Sequence, residues 1–157
     1  MKMKLKTLTV LTVGVALGGC SMFWHTRKTD EQIQRGMSGS QFQAIVVIAG
    51  NDARYDLRMS AMVREQLTDA GITALRRSGR WGSESDAIAD ICPAGQAATV
   101  DGVLFVYYNQ LTLIDCRTHA RAYEITGGDL GLPGMAKRLI AYLQGSARDS
   151  KQGDSRQ

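Results

Sequence analysis

The chain has 157 residues, 44% hydrophobic and 22% charged, with nineteen Lys and Arg against fifteen Asp and Glu. That length suits one small domain with a single core, and the composition excludes a low-complexity or fibrous chain. The sequence pI of about 9.1 is no argument for nucleic-acid binding. Lys2, Lys4 and Lys6 stand at the extreme N-terminus, and without them sixteen basic residues face fifteen acidic ones, a net charge of +1.

The three lysines precede a short apolar run, Leu8 to Leu17. A membrane span needs about twenty apolar residues, and this run is roughly half of that, so it reads as the core of a secretory signal. Gly18 and Gly19 are the small residues a peptidase accepts before its cut, and a cysteine follows. Leu17-Gly18-Gly19-Cys20 resembles the lipobox of bacterial lipoproteins. The resemblance implies cleavage before Cys20, a diacylglycerol on its sulfur and a third acyl chain on the new amine. Two or three chains anchor a protein stably, where one holds it only marginally. Ser21 in place of Asp implies the outer membrane of a Gram-negative host, with the protein facing the periplasm. An ordinary signal followed by an incidental cysteine is the alternative.

Residues 1–19 are thus expected to be a signal peptide and 20–41 a lipidated tether. The tether is polar and mixed in charge (Arg27, Lys28, Asp30, Glu31), then small (Gly36, Ser38, Gly39, Ser40), and such a segment buries too little to fold alone. Phe23 and Trp24 are expected at the membrane interface, which favours aromatic rings. His25 beside them reads as solvated.

Phe42 to Ala49 is a continuous apolar run ended by Gly50, Asn51 and Asp52, the pattern of a central strand covered on both faces. Asp56 is placed to cap the next helix, in which Leu57, Ala61, Met62 and Leu67 recur at helical spacing, with Gly71 just past its end. Ile72 to Leu75 then reads as a second strand, reached by a right-handed crossover. Arg76, Arg77, Arg80 and Trp81 follow in a glycine-flanked loop, the densest positive patch after the signal. They are candidates for contact with phosphate or carboxylate groups, or with an acidic partner. A solvated loop with Trp81 folded onto the core is the alternative.

Ser83 or Ser85 can start the next helix, with Ala87, Ile88 and Ile91 on its apolar side. It is expected to end near Cys92-Pro93, because the residue before proline resists helical backbone. Gly102 to Tyr108 is a second apolar strand. Gln110 to Cys116 alternates, Arg117-Thr118-His119 turns, and Ala120 to Ile125 returns as the partner strand. Pro133 fits the first position of a final helix with Met135, Leu139, Ile140, Tyr142 and Leu143 on its apolar face. Residues 42–145 therefore read as one α/β domain, β-α-β-α-β-β-β-α, a mixed sheet with helices packed on it. Residues 146–157 read as a disordered tail. In an oxidising compartment Cys92 and Cys116 are expected to bridge, closing a loop of about 25 residues. Two buried free thiols are the alternative.

The segment from Leu111 to Ile125, with Asp115 and Thr118 placed to fix the hairpin turn, resembles the closing hairpin of small periplasmic domains such as the N-terminal domain of TolB and the periplasmic domain of the curli-secretion lipoprotein CsgG. The resemblance implies a role in envelope assembly and protein contact. Cys116, His119 and Asp115 lie close enough in sequence to be tested as a catalytic trio, but an exposed turn and the competing sulfur of Cys92 argue against it. Polar Asn51, Asp52 and Arg54 stand where doubly wound sheets bind ligands, with turn and cap as the alternative. No enzyme activity, cofactor, metal or nucleic-acid partner is expected. The reading is a lipid-anchored interaction module with the membrane and an envelope protein as partners. The alternative is a binder of an envelope polymer or small anion through Arg76, Arg77 and Arg80.

Overall fold

The computed structural model describes residues 28–50, 53–77, 79, 81–95 and 99–146. These comprise strand β1 (Asp30–Ile33), a 3₁₀ turn (Gly39–Gln41), β2 (Ala44–Ala49), α1 (Ala53–Asp69), β3 (Thr73–Arg76), α2 (Glu84–Ile91), β4 (Gly102–Tyr107), β5 (Gln110–Asp115), β6 (Arg121–Thr126) and α3 (Gly131–Leu143). The lipobox with Cys20, then Phe23, Trp24, His25, Asn51, Asp52, Arg80 and residues 147–157 lie outside the described residues. Arg54, Tyr55 and Asp56 are described through their backbone alone.

The strands form one mixed sheet in the order β1-β6-β5-β4-β2-β3, an α/β fold in one domain. The two apolar runs lie at its centre, β2 and β4 being parallel with Ile45 opposite Gly102 and Ala49 opposite Val106. Strand β2 is apolar on both faces because both faces are covered. Ile45 and Val47 join the cluster under α1 and α3, while Val46 and Ile48 join the cluster under α2. Connections from the parallel strands β2 and β3 run in opposite directions across the sheet, which is why a common handedness sends α1 to one face and α2 to the other. Strands β4, β5 and β6 are antiparallel neighbours, with Tyr108 and Asn109 as the two-residue turn between Tyr107 and Gln110.

The local signals act as the residues demand. Gly71 takes a left-handed φ of +82°, and Ile72 N–H donates to the Leu67 carbonyl at 2.9 Å, closing α1 as a glycine past a helix end does. Ser83 Oγ accepts from Asp86 N–H at 3.2 Å and caps α2. Met135, Leu139, Tyr142 and Leu143 of α3 are buried. Pro133 occupies the third rather than the first helical position, still within the turn whose N–H groups have no helical partner. Among the described residues no helix is long and apolar enough to cross a membrane.

Two expectations change. The segment read as tether up to Gln41 enters the fold at Asp30: β1 pairs antiparallel with β6, Asp30 opposite Thr126 and Ile33 opposite Tyr123. What holds it is remote in sequence. Tyr123 Oη donates to Glu31 Oε1 and Arg138 donates to Glu31 Oε2, each at 2.8 Å. Burial, and then the bond to Glu31, hold the Tyr123 phenol protonated far above the usual tyrosine range. The second change is in α1, which starts at Ala53, so Asp56 lies inside it and does not cap it. Leu57 and Ala61 are exposed, and Val63 and Leu67 make its buried face with Met59 and Met62 packed beside them. Strand β3 is short and lies at the sheet edge, so among the described residues no further strand extends under the outer flank of α1.

Candidate functional site

Open α/β sheets bind ligands outside the carboxyl ends of their parallel strands, at the switch point, which in this sheet falls between β2 and β4. A crevice lies one strand over at the same end, between α1 and β3. It is a cleft of about 250 Å³. Val47 and Ala49 of β2 form its floor, Leu57, Arg58, Ala61 and Arg64 of α1 one wall, and Arg76 with Arg77 at the end of β3 the other. Residues 57, 61 and 64 fall on one line of the helix, one and two turns apart. Arg58, Arg76 and Arg77 are exposed, and Arg64 is half-buried.

Four arginines thus line one small space. Arg77 reaches Asp90 of α2 at 3.4 Å, an exposed pair worth little in water. Among the described residues no carboxylate pairs with Arg58, Arg64 or Arg76. Cations gathered in one place make a local positive potential that an anion relieves.

The predicted Arg76, Arg77, Arg80 and Trp81 patch therefore divides. Arg76 and Arg77 line the cleft. Trp81 goes to the other face of the sheet, packed against the cluster under α2, with its indole N–H donating to Asp90 Oδ2 at 3.3 Å. Gly79 permits this: a Cβ there would lie 2.3 Å from the Trp81 ring. Sequence reasoning missed Arg58 and Arg64. Their only signal was their interleaving with Leu57 and Ala61, which read as core positions.

At the opposite end of the sheet, the residues tested as a catalytic trio are all engaged. The Cys116 sulfur is bonded to that of Cys92, with Cα atoms 5.0 Å apart. His119, in left-handed backbone with φ of 55°, sets its Nε2 at 2.9 Å from the Cys92 carbonyl oxygen. Asp115, buried to 2% exposure, accepts from Arg117 N–H and Thr118 Oγ1–H, each at 3.0 Å. This is the predicted turn lock. Asp115→Ala is expected to cost about 1–3 kcal/mol, because it strands those donors in a tight turn. Urea unfolding measures it, and a change under about 0.5 kcal/mol, the level of an ordinary surface substitution, would show that the turn holds without the carboxylate. Among the described residues no three His, Cys, Asp or Glu side chains gather to hold a metal ion.

No family model and no curated protein matches the chain. Among solved structures it is similar to a PelC dodecamer from Paraburkholderia phytofirmans, at 18% identity and a TM-score of 0.42, covering 77% of this chain and 98% of that one. A point variant of that dodecamer matches at 16% identity and a TM-score of 0.43, over 77% and 99% of the two chains. A histidyl-tRNA synthetase from Nostoc sp. matches at 13% identity and a TM-score of 0.41, over 62% of this chain and 21% of that one. Likeness at this level carries nothing about function.

Proposed function

We propose that this chain is a lipid-anchored protein of the bacterial envelope that works through contact and carries out no chemistry of its own. The carrying observation is Leu17-Gly18-Gly19-Cys20 behind a charged and apolar leader. An acylated Cys20 would stand eight residues before Lys28, the first described residue, and would hold the domain at the outer membrane facing the periplasm. Supporting the non-catalytic part, Cys116, His119 and Asp115 spend their reactive atoms on a bridge and a turn. A partner protein has an open edge to meet at β3, a four-residue strand with Leu75 exposed, since an unpaired edge offers backbone N–H and C=O groups to another chain.

The test is metabolic labelling with a fatty-acid analogue, followed by membrane fractionation. The wild-type protein is expected to carry label and to sediment with membranes, and Cys20→Ala to lose both. A Cys20→Ala protein that keeps its label would end the anchoring claim.

The alternative reading, an anion-binding lipoprotein, is favoured by the four arginines that line the α1–β3 cleft. Two of the residues that suggested it, Arg76 and Arg77, line that cleft.

A further inference from the structure

We propose that the α1–β3 cleft takes the phosphate of an anionic lipid headgroup, so that the rim at the carboxyl ends of the parallel strands rests on the bilayer. The proposal rests on the lipid-anchor reading for its biological setting, but its chemistry stands on three features of that rim.

The first is where the chain enters. β1 runs antiparallel to β6, and Asp30 lies opposite Thr126 at the carboxyl end of β6. Lys28 lines a groove there with Tyr108, Asn109 and Gly127. The described chain therefore begins, at Lys28, on this rim and not on the opposite one. Eight residues, the separation from Cys20, reach at most about 28 Å. The cleft lies five strand positions from β1, about 24 Å along the same rim. Anchor and cleft can meet one surface together.

The second is charge. The rim gathers Arg58, Arg64, Arg76 and Lys28, beside Asp30 and an Arg77 already paired with Asp90, in a chain whose balance after the signal is close to neutral. The opposite end has arginines too, but they are neutralised: Arg117 meets Asp115 at 3.4 Å and Arg121 meets Glu124 at 2.7 Å. Guanidinium pairs suit phosphate oxygens in geometry as well as charge.

The third is apolar exposure beside that charge. Tyr108, 76% exposed at the β4–β5 turn, and Leu57, 53% exposed at the cleft, project from this rim. A tyrosine and a leucine next to basic groups are what the headgroup boundary accommodates. The cleft's volume of about 250 Å³ falls below the roughly 300–1,000 Å³ of sites that enclose drug-sized ligands. It suits one phosphate group presented by a surface, not an enclosed sugar chain.

The experiment uses the chain from residue 21 onward, without acyl groups, so that binding cannot come from the anchor. Both core clusters are drawn from residues 37–143, so this chain keeps its whole core. It is co-sedimented with phosphatidylcholine vesicles with and without phosphatidylglycerol. Binding is expected only to the phosphatidylglycerol vesicles. Arg58→Gln with Arg76→Gln should weaken it about 25-fold, roughly five-fold for each charge near an anionic surface. Arg117→Gln with Arg121→Gln removes the same charge at the far end, beyond a Debye length, and should change binding by less than about two-fold. Equal binding to both vesicle types, no binding, or equal losses in the two double variants would overturn the proposal. So would binding of free pyrophosphate without binding of vesicles, which would make the cleft a site for a soluble anion. Failure of the anchor would appear separately, in the Cys20→Ala labelling, since no acyl chain is present here.

Discussion

Loss of the Cys92–Cys116 bridge is expected to destabilise the domain by about 3 kcal/mol, the chain-entropy value for a loop of about 25 residues. For a domain of this size that lowers the melting temperature by roughly 10 °C. The effect should be concentrated around α2. That helix has eight residues, and only Ala87 and Ile91 of it are buried. The bridge ties its C-terminal end to the end of β5, inside the cluster that also holds Val46, Val103 and Phe105. Without the bridge, the short helix keeps its Ser83 cap and two buried side chains, too little to hold it alone. The measurement is thermal unfolding of Cys92→Ser with Cys116→Ser, with amide exchange to locate the change. Exchange should rise in α2 before α1 or α3. A melting point within about 2 °C of the parent, well inside the shift expected for a domain this size, would mean that packing alone holds this face.

Gly39→Ala is expected to cost about 3 kcal/mol, the upper end of the range for forcing a carbon into packed structure. A Cβ at Gly39 would stand 1.8 Å from the Tyr142 carbonyl oxygen and 2.7 Å from Leu143 Cα. Both are backbone atoms of α3, so no rotamer change relieves the clash. Either the helix end moves or the segment before β2 lifts off. In the second case Arg35, exposed in the same segment, becomes a site of rapid tryptic cleavage. Ser40→Ala, whose position is exposed, should change stability by less than about 0.5 kcal/mol. If Gly39→Ala is as neutral as Ser40→Ala, residues 30–41 are the loose tether their composition suggests, and β1 adds nothing to the fold.

This pair of predictions marks how far local pattern reaches. Central strands were legible because full burial leaves an unbroken apolar run, as in Ile45 to Ile48. The Ser83 cap, Gly71 and the lock of Asp115 with Thr118 were legible because each depends on neighbours two to five residues away. β1 was not. Asp30, Glu31 and Gln32 carry no strand pattern, and what makes them a strand is the far side chains Tyr123 and Arg138 closing on Glu31. The α1 face was misread for a related reason. Leu57 and Ala61 have core spacing, but β3 is too short to cover them.

The candidate site divides in the same way. Arg76 and Arg77 stood out as a run, while Arg58 and Arg64 were hidden in a helix and joined them only because α1 packs back across the parallel pair β2 and β3. By itself, the sequence determined the α/β class and the central strands, and it carries the expectation of an address at residues 17–20, since each of these is written in contiguous residues. Tertiary structure alone decided that arginines of α1 and of the β3 end line one cleft, that residues 30–33 join the sheet as β1, and that β1 starts on the same rim. Those are matters of which distant residues meet, and no local pattern encodes them.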